Sequence, residues 1–537
     1  MMIEEEKQNF IEFNIMAIQK LSLKTEKELN ESILEDKAKG ISDYEIGKKY
    51  GVTYKYIEKL ITQSRGINIS HLTNSKRIAK LSPDDFKEEQ TTVWSFKQRG
   101  NWATHCGEYR GNWSPYIPRN LILKYSKPGE LVLDYFCGAG TTAVECKLLG
   151  RRCIALDINE KAIELAKKNL DFSIPMEAEQ ITLFEQKSSF EIYEPQVLVG
   201  DARNLSFLSD NSVDLICAHP PYANIIHYTD STSGDLSLLK MDDFLKEMFK
   251  VAEESFRVLK PGRQCAILIG DTRKEKHIIP LGFKLIDMYL KAGFLLRELI
   301  IKRQYNCKTT GFWYNKSIKY NFLLLAHEYL PIFEKPKKQE SKVFIDIEGL
   351  YETKLSHSIS HPEFKENLDK LESTTVWIFD KDEKEEKMTA NIIKRYADKN
   401  EYILVNIMPN SADKLTHIKS EILNEDIGLL FIKSYSFKNS TSVSKVNEYL
   451  MEVSKIIDEY ISLIKKGGFL IIRAKDVRVD KYIVPLAKRL YDTLTDSRLW
   501  LKEIVIVSEN GKLLNAVADD ESLQITHEYL LIYEVNQ

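Results

Sequence analysis

The second half of this chain repeats the first, and that repetition constrains the fold more than any other feature. Thr91-Thr92-Val93-Trp94 returns as Thr374-Thr375-Val376-Trp377, and His327-Glu328-Tyr329-Leu330 as His527-Glu528-Tyr529-Leu530. Phe244-Leu245 through Ile300 aligns without a gap onto Tyr449-Leu450 through Val505. Within it Lys260, Gly262, Asp271, Arg273, Pro280 and Leu281 meet identical residues at Lys465, Gly467, Asp476, Arg478, Pro485 and Leu486. Matches kept in order over such a stretch mean a duplicated folding unit. Two copies and an N-terminal segment agree with the three or so domains expected of 537 residues at roughly 100–200 residues each. The expected division is a helical unit at 1–75, a first copy at 76–335 and a second at 343–537. Pro331 to Lys342, rich in lysine, proline and glutamate, reads as the linker.

The first copy alternates short apolar runs with helical periods. Leu131 to Asp134, Cys153 to Asp157, Val197 to Val199 and Val213 to Ala218 read as strands, with helices at Ala143 to Leu149 and Glu160 to Leu170. That alternation predicts a parallel sheet in a doubly wound, Rossmann-like α/β domain. No apolar run approaches the ~20 residues needed to span a bilayer, and the acidic first seven residues lack a secretory layout. Seven cysteines without a Cys-x-x-Cys pair argue against a disulfide framework or a metal site and fit a reducing cytoplasm. A net charge of -3 gives no overall signal for nucleic acid, so any such role needs a local patch.

Two motifs carry the chemistry. Asp134-Tyr135-Phe136-Cys137-Gly138-Ala139-Gly140-Thr141-Thr142 sits between a strand and a helix, where glycines let the backbone turn sharply and approach a ligand. Asp157 ends the next strand, where a carboxylate can meet ribose hydroxyls. A third glycine is missing, which disfavours a dinucleotide, and the loop lacks the Gly-Lys-Ser/Thr end of an ATP loop. His219-Pro220-Pro221-Tyr222 follows the strand Asp214 to Ala218. The glycine loop, the acidic strand end and the x-Pro-Pro-Tyr run together resemble the S-adenosylmethionine-dependent DNA amino-methyltransferases, over roughly residues 90–335.

The resemblance implies a methyltransferase fold and methyl transfer to the exocyclic amino group of a base flipped from double-stranded DNA, with cytosine-N4 favoured over adenine-N6. It implies that Asp134, Cys137, Gly138, Gly140 and Thr141 surround the cofactor's methionine part, Asp157 its ribose and Asp201 its adenine. Asn112 to Asn120 resembles the family's final cofactor motif. His219 takes the first acceptor position, the Pro220 carbonyl the second, and Tyr222 stacks on the target base beside Pro221. Histidine departs from the usual Asp, Asn or Ser at the first position. A neutral imidazole accepts a hydrogen bond and imidazolium does not, so loss of activity is expected near the ordinary histidine value of about 6.5.

Ser42 with Glu45, and Gly51 between two short helical periods, predict a helix-turn-helix for DNA contact, preceded by a helix through Phe10 to Leu21. Arg273 to Tyr320 holds 11 Lys and Arg against 3 Asp and Glu, interleaved with Tyr305, Phe312, Trp313, Tyr314 and Tyr320. That stripe suits phosphate contact and base stacking. The second copy is degenerate: Val405 to Asn410 replaces the glycine loop and Lys433-Ser434-Tyr435 the Pro-Pro-Tyr run. It is expected to be a methyltransferase-like fold without catalysis, serving packing, pseudo-dimer formation or DNA recognition. A paired restriction endonuclease is a possible partner. The rival readings are an RNA amino-methyltransferase and a catalytically silent DNA-binding regulator. 5-Methylcytosine formation is disfavoured because no Pro-Cys occurs.

Overall fold

Apolar runs without polar alternation bury both faces, and the first copy stacks several into one sheet. The computed structural model describes residues 26–64, 78–172, 191–337, 368–510 and 522–536, apart from short breaks within these stretches. The expected helix at Phe10 to Leu21 lies outside them. The first sheet contains β1 (Val93–Trp94), β2 (Leu131–Asp134), β3 (Arg152–Asp157), β4 (Gln196–Val199), β5 (Val213–Ala218), β6 (Leu259–Ile267), β9 (Leu295–Arg303) and β10 (His327–Glu334). A small hairpin, β7 (Thr272–Lys274) and β8 (His277–Ile279), stands apart. The sheet order is β1-β9-β10-β6-β5-β2-β3-β4. From β2 the chain winds outward through β3 to β4, then returns to β5 on the other side of β2, leaving a switch point at their carboxyl ends.

Two expectations need correction. The sheet is mixed, because β10 runs antiparallel to both β6 and β9. The expected linker also starts too early: Pro331 to Glu334 belong to β10, where Pro331 pairs with Leu299 and every residue is buried. The apolar Ile332 and Phe333, not the flanking prolines and lysines, decide that segment.

The second sheet contains β11 (Val376–Asp380), β12 (Tyr402–Pro409), β13 (Leu415–Lys419), β14 (Ile427–Lys433), β15 (Ile464–Ala474), β18 (Leu499–Asn510) and β19 (His527–Val535). Its hairpin is β16 (Val477–Val479) with β17 (Tyr482–Val484). The order β11-β18-β19-β15-β14-β12-β13 repeats the first sheet strand for strand as far as β12. There the copies diverge. β12 continues straight through the position of the glycine loop and pairs antiparallel with β13, where the first sheet has the parallel β3. Lys433 ends β14, and Ser434-Tyr435 lie outside the described residues.

The copies join through contacts that are reciprocal, as in an isologous dimer. Arg273 Nη2 lies 2.5 Å from Glu503 Oε2, and Arg478 Nη2 lies 2.6 Å from Glu298 Oε2. The other carboxylate oxygens accept from Leu323 N and Leu523 N. His527 Nδ1 is 2.7 Å from Thr92 Oγ1, and His327 Nδ1 is 2.9 Å from Thr375 Oγ1. One hydrophobic cluster runs through both copies, with Phe283 against Tyr329 and Tyr529.

This interface also revises the basic stripe. Arg273 is spent on Glu503, Lys302 pairs with Glu328, and Arg297 and Lys284 are buried. Lys274 and Lys291 stay exposed, and so does the helix Lys308–Lys319, where Phe312, Trp313 and Tyr314 are exposed and Lys316 Nζ lies 4.5 Å from the Trp313 ring centre.

At the N-terminus, helices Glu26–Ala38, Asp43–Tyr50 and Tyr54–Ser64 close on Leu29, Ile33, Ile46, Tyr50, Ile57 and Leu60. The Ser42–Glu45 capping box forms, and Gly51 ends the second helix at φ +68°. That turn lies against Val197, on the edge strand β4, and covers an otherwise open edge.

Removing one partner of a buried ion pair typically costs about 3–5 kcal/mol. Glu503→Ala and Glu298→Ala are each expected to destabilise by about that amount, and nearly equally, in urea unfolding. A loss confined to one of them would show that the two pairs are not equivalent.

Candidate active site

The loop after β2 is shaped by its buried carboxylates. Asp134 accepts from Phe136 N at 3.1 Å and from Thr142 Oγ1 at 2.5 Å, binding strand end to helix start. Burial pushes its carboxyl up to about 7. It faces the loop and the helix, not the cavity beyond them. Asp157, at the end of β3, accepts from Gly138 N and Asn159 N, each at 2.9 Å. Burial raises it to about 6, against the pull of these backbone donors.

The two glycines do different work. Gly138 has φ +50°, and a Cβ there would fall 2.9 Å from the Tyr109 ring. Gly140 has φ +80°, and its Cβ would fall 2.9 Å from Ala166 Cβ on the helix after β3. Gly138 therefore keeps the cavity open, and Gly140 lets the two helices close up. Thr141 Oγ1 donates to Asn112 Oδ1 at 2.7 Å, tying the loop to the segment upstream. Cys137 N donates to Leu156 O, and the thiol is buried.

An open cavity of about 710 Å³, counting space continuous with solvent, lies over the switch point. Cys137, Gly138, Asp157, Asp201, His219 and Pro221 line it. The structure thus gathers residues from four separate strand ends. Asp134, Gly140, Thr141 and Tyr222 sit behind this lining. Asp201, after β4, accepts from Arg203 Nη2 at 2.6 Å, and Arg203 also reaches Glu247. Tyr109 and Tyr228, stacked at 5.9 Å, and Asp235 complete the wall. None of these three was singled out from the sequence, because each lies in a segment with no motif of its own.

At the end of β5 the Trp113 ring stacks on His219 at 5.9 Å and 22°. His219 Nε2 lies 2.8 Å from the Tyr222 hydroxyl. The Tyr222 hydroxyl donates to Glu328 Oε1 at 2.8 Å, while Lys302 Nζ lies 2.7 Å from Glu328 Oε2. Burial alone would raise Glu328, but Lys302, His219 and Tyr222 outweigh it and hold the carboxyl at about 2. Glu328 was visible only as part of the repeated His-Glu-Tyr-Leu run.

Burial also lowers His219 to about 4, with Lys302 and Arg99 adding to the shift and Glu328 and the Gly111 carbonyl opposing it. The expected loss of activity near the ordinary histidine value is therefore moved well into acid.

A family model described as a DNA methylase, of the N6/N4 type, matches residues 1–168 and 213–404. The chain belongs to the N6/N4 DNA methylase family. These are S-adenosylmethionine-dependent amino-methyltransferases, and S-adenosylmethionine is the cofactor. A general methyltransferase-domain model matches residues 133–267 of this family member. The Type II methyltransferase M.SmaI of Serratia marcescens is 34% identical over 113 residues, 21% of this chain and 37% of its own length. The tRNA (guanine(10)-N2)-dimethyltransferase of Methanothermobacter thermautotrophicus is 30% identical over 138 residues, 26% of this chain and 34% of its own. The chain thus spans little more than a third of either relative. A SAM-dependent methyltransferase structure from Methanosarcina mazei aligns with 40% of this chain and 97% of its own, at 17% identity and a TM-score of 0.27.

The cavity fits the family's cofactor on its own terms. Two carboxylates, a glycine cradle that admits no Cβ and flanking aromatic rings suit a nucleoside bearing a charged tail. Gly138→Ala should lower cofactor affinity at least about tenfold, since the new methyl group must displace Tyr109. Calorimetry with S-adenosylhomocysteine checks this, and unaltered affinity would contradict it.

Proposed function

We propose that this methylase transfers a methyl group to the exocyclic amino group of a base in double-stranded DNA, cytosine-N4 ahead of adenine-N6. One observation carries the reading: His219 and Pro221 open onto the same cavity as Gly138 and Asp157, across the switch point. When bound, S-adenosylmethionine supplies an electrophilic methyl group on a sulfonium. Asp157 would hold its ribose and Asp201 its adenine, while Cys137 and Gly138 border its amino-acid tail. An exocyclic amino group is a weak nucleophile because its lone pair is delocalised into the ring. Acceptors set against its hydrogens favour the localised lone pair, and the rigid Pro-Pro run fixes the Pro220 carbonyl as one of them. His219 supplies the other while neutral. Tyr222, expected to stack on the target base, keeps its ring against Gly270 and its hydroxyl on Glu328, so its part is better read as orienting His219.

DNA is favoured by the family match, by the N-terminal helix pair with its three-residue turn, and by the exposed aromatic and lysine-bearing helix Lys308–Lys319. The division of labour follows: 1–75 contacts DNA, 76–335 catalyses, and 343–537 buttresses the catalytic copy. Likeness to a Type II methyltransferase makes a paired restriction endonuclease a reasonable partner. The tRNA-modifying relative supports a second reading, an RNA amino-methyltransferase.

Radiolabelled transfer to duplex DNA and to total RNA separates these readings, and nucleoside analysis of the product identifies the base. Pro221→Ala and Tyr222→Ala should each reduce transfer about 100-fold or more. Label in RNA alone, or undiminished transfer by both variants, would overturn the DNA reading or the site assignment respectively.

The pH dependence should split. Protonation of Asp157 below about 6 removes a ribose acceptor, so KM for the cofactor rises there. His219 stays neutral down to about 4, so kcat should hold until then when chemistry is rate-limiting. A kcat that falls near the ordinary histidine value would contradict the half-buried, neutral imidazole.

A further inference from the structure

The stretch between β9 and β10 carries charge of one sign only. From Leu299 to His327 there is no Asp or Glu, against Lys302, Arg303, Lys308, Lys316 and Lys319. The matching stretch of the second copy, Ile504 to His527, holds Glu509, Asp519, Asp520 and Glu521, with Lys512 as its single cation. Within the first stretch the helix Lys308–Lys319 shows Phe312, Trp313 and Tyr314 to solvent, Phe312 at 70%. Among the described residues no other three successive large rings are exposed in this way. Lys316, one turn on, lies 5.4 Å from the Phe312 ring centre and 4.5 Å from that of Trp313. Its cation orders the two rings and leaves their outer faces open. Flat rings set among lysines match a partner with flat faces and negative charge, which is a nucleic-acid strand with unpaired bases.

Sheet topology sets this helix on the rim of the cavity. β9 is antiparallel to β10, β10 is antiparallel to β6, and β6 is parallel to β5, so β9 and β5 end at the same edge. Lys302, next to last in β9, reaches Glu328, which holds Tyr222. Gly138, Asp157 and Asp201 lie at the ends of β2, β3 and β4, on the far side of β5. Three strand spacings separate β5 from β9, about 14 Å, or about four nucleotide steps along one strand. A strand laid along this edge with its target base at His219 therefore brings neighbouring bases to Phe312 and Trp313.

The helix is held from the non-catalytic copy. Asn321, two residues past its end and at φ +46°, donates Nδ2 to Arg395 O at 3.1 Å. Its Oδ1 accepts from Arg395 Nη1, also at 3.1 Å, and both side chains are buried. Leu324 then pairs through its backbone with Ser373 and Thr375. The Arg273 guanidinium, fixed on Glu503, covers the Phe322 ring at 5.2 Å. The rings thus project from a base that the catalytic copy alone does not build. We propose that Phe312 and Trp313 stack on unpaired DNA bases beside the target, that Lys316 and Lys319 meet the phosphates, and that the non-catalytic copy holds them there through Arg395 and Asn321. The proposal takes its target base from the DNA-methyltransferase reading and adds the surface that receives the strand. Stacking tolerates any base, so this surface steadies the opened DNA and leaves sequence reading to other residues. The copy that lost its glycine loop then serves DNA recognition as well as packing.

Fluorescence anisotropy with the full chain, free of cofactor, tests this. The probes are a labelled single-stranded DNA oligonucleotide of mixed sequence, its abasic counterpart and RNA of the same sequence. The wild type should bind the base-bearing DNA at least about tenfold tighter than the abasic strand. Phe312→Ala with Trp313→Ala should abolish that preference and leave S-adenosylhomocysteine affinity, read by calorimetry, unchanged. Lys316→Gln with Lys319→Gln should keep the preference and flatten the salt dependence, by about 0.7 in log–log slope per lysine. Asn321→Gly keeps the left-handed backbone and removes only the amide, so it should narrow the preference at unchanged cofactor affinity. A folded ring variant that keeps the preference overturns the stacking surface and leaves the rings to a protein partner. An unaltered salt slope overturns the phosphate contacts, and an unaltered preference in Asn321→Gly overturns the anchoring. A base preference found in RNA alone overturns the assignment to DNA. Base-dependent binding without methyl transfer to DNA would instead defeat the functional reading and leave this surface standing.

Discussion

The paired contacts Arg273–Glu503 and Arg478–Glu298 are the constraint on which the rest of the molecule depends. Each guanidinium comes from the hairpin of one copy and each carboxylate from the β9 or β18 strand of the other. Neither charge can stay buried without its partner, since desolvating an isolated ion costs far more than the fold can spare. The copies must therefore dock in one register, and the shared apolar cluster then closes around it.

That register reaches the candidate active site within a few residues. Thr375 of the degenerate copy accepts from Ala326 N at 3.0 Å and lies 2.9 Å from His327 Nδ1, pinning the start of β10. The next residue is Glu328, which holds Tyr222, which in turn meets His219. A copy without a glycine loop thus acts on the chemistry through backbone placement. Its loss of the parallel β3 position to a hairpin removes the place where a ribose would bind and leaves the interface strands intact.

Much of this was legible in the amino-acid order because it depends on local chemistry. Gly138 and Gly140 announce a turn that only glycine adopts easily, Asp157 ends an apolar strand, and Ser42 with Glu45 closes a capping box. The errors arose where long-range contacts decide the outcome. Pro331 reads as a linker residue until β9 pairs with it. Arg273 and Arg297 read as part of a phosphate-contacting stripe until the tertiary structure pairs the first with Glu503 and buries the second. Duplication itself carried that warning, since residues kept in both copies at matching positions are those a pseudo-dimer interface uses twice.

By itself the sequence determined the duplication, the doubly wound order of strands and helices, and the pairing of a glycine loop with an x-Pro-Pro-Tyr run. These follow from periodicity, backbone freedom and residue spacing, which act over a few residues at a time. Only the tertiary structure decided that His219 lies half-buried beneath Trp113, that its ring is neutral far into acid, and that Glu328 and Lys302 stand behind it. Those properties depend on the dielectric and the charges around one ring. They are set by strands that the chain brings together, with Lys302 and Glu328 each more than 80 residues beyond His219.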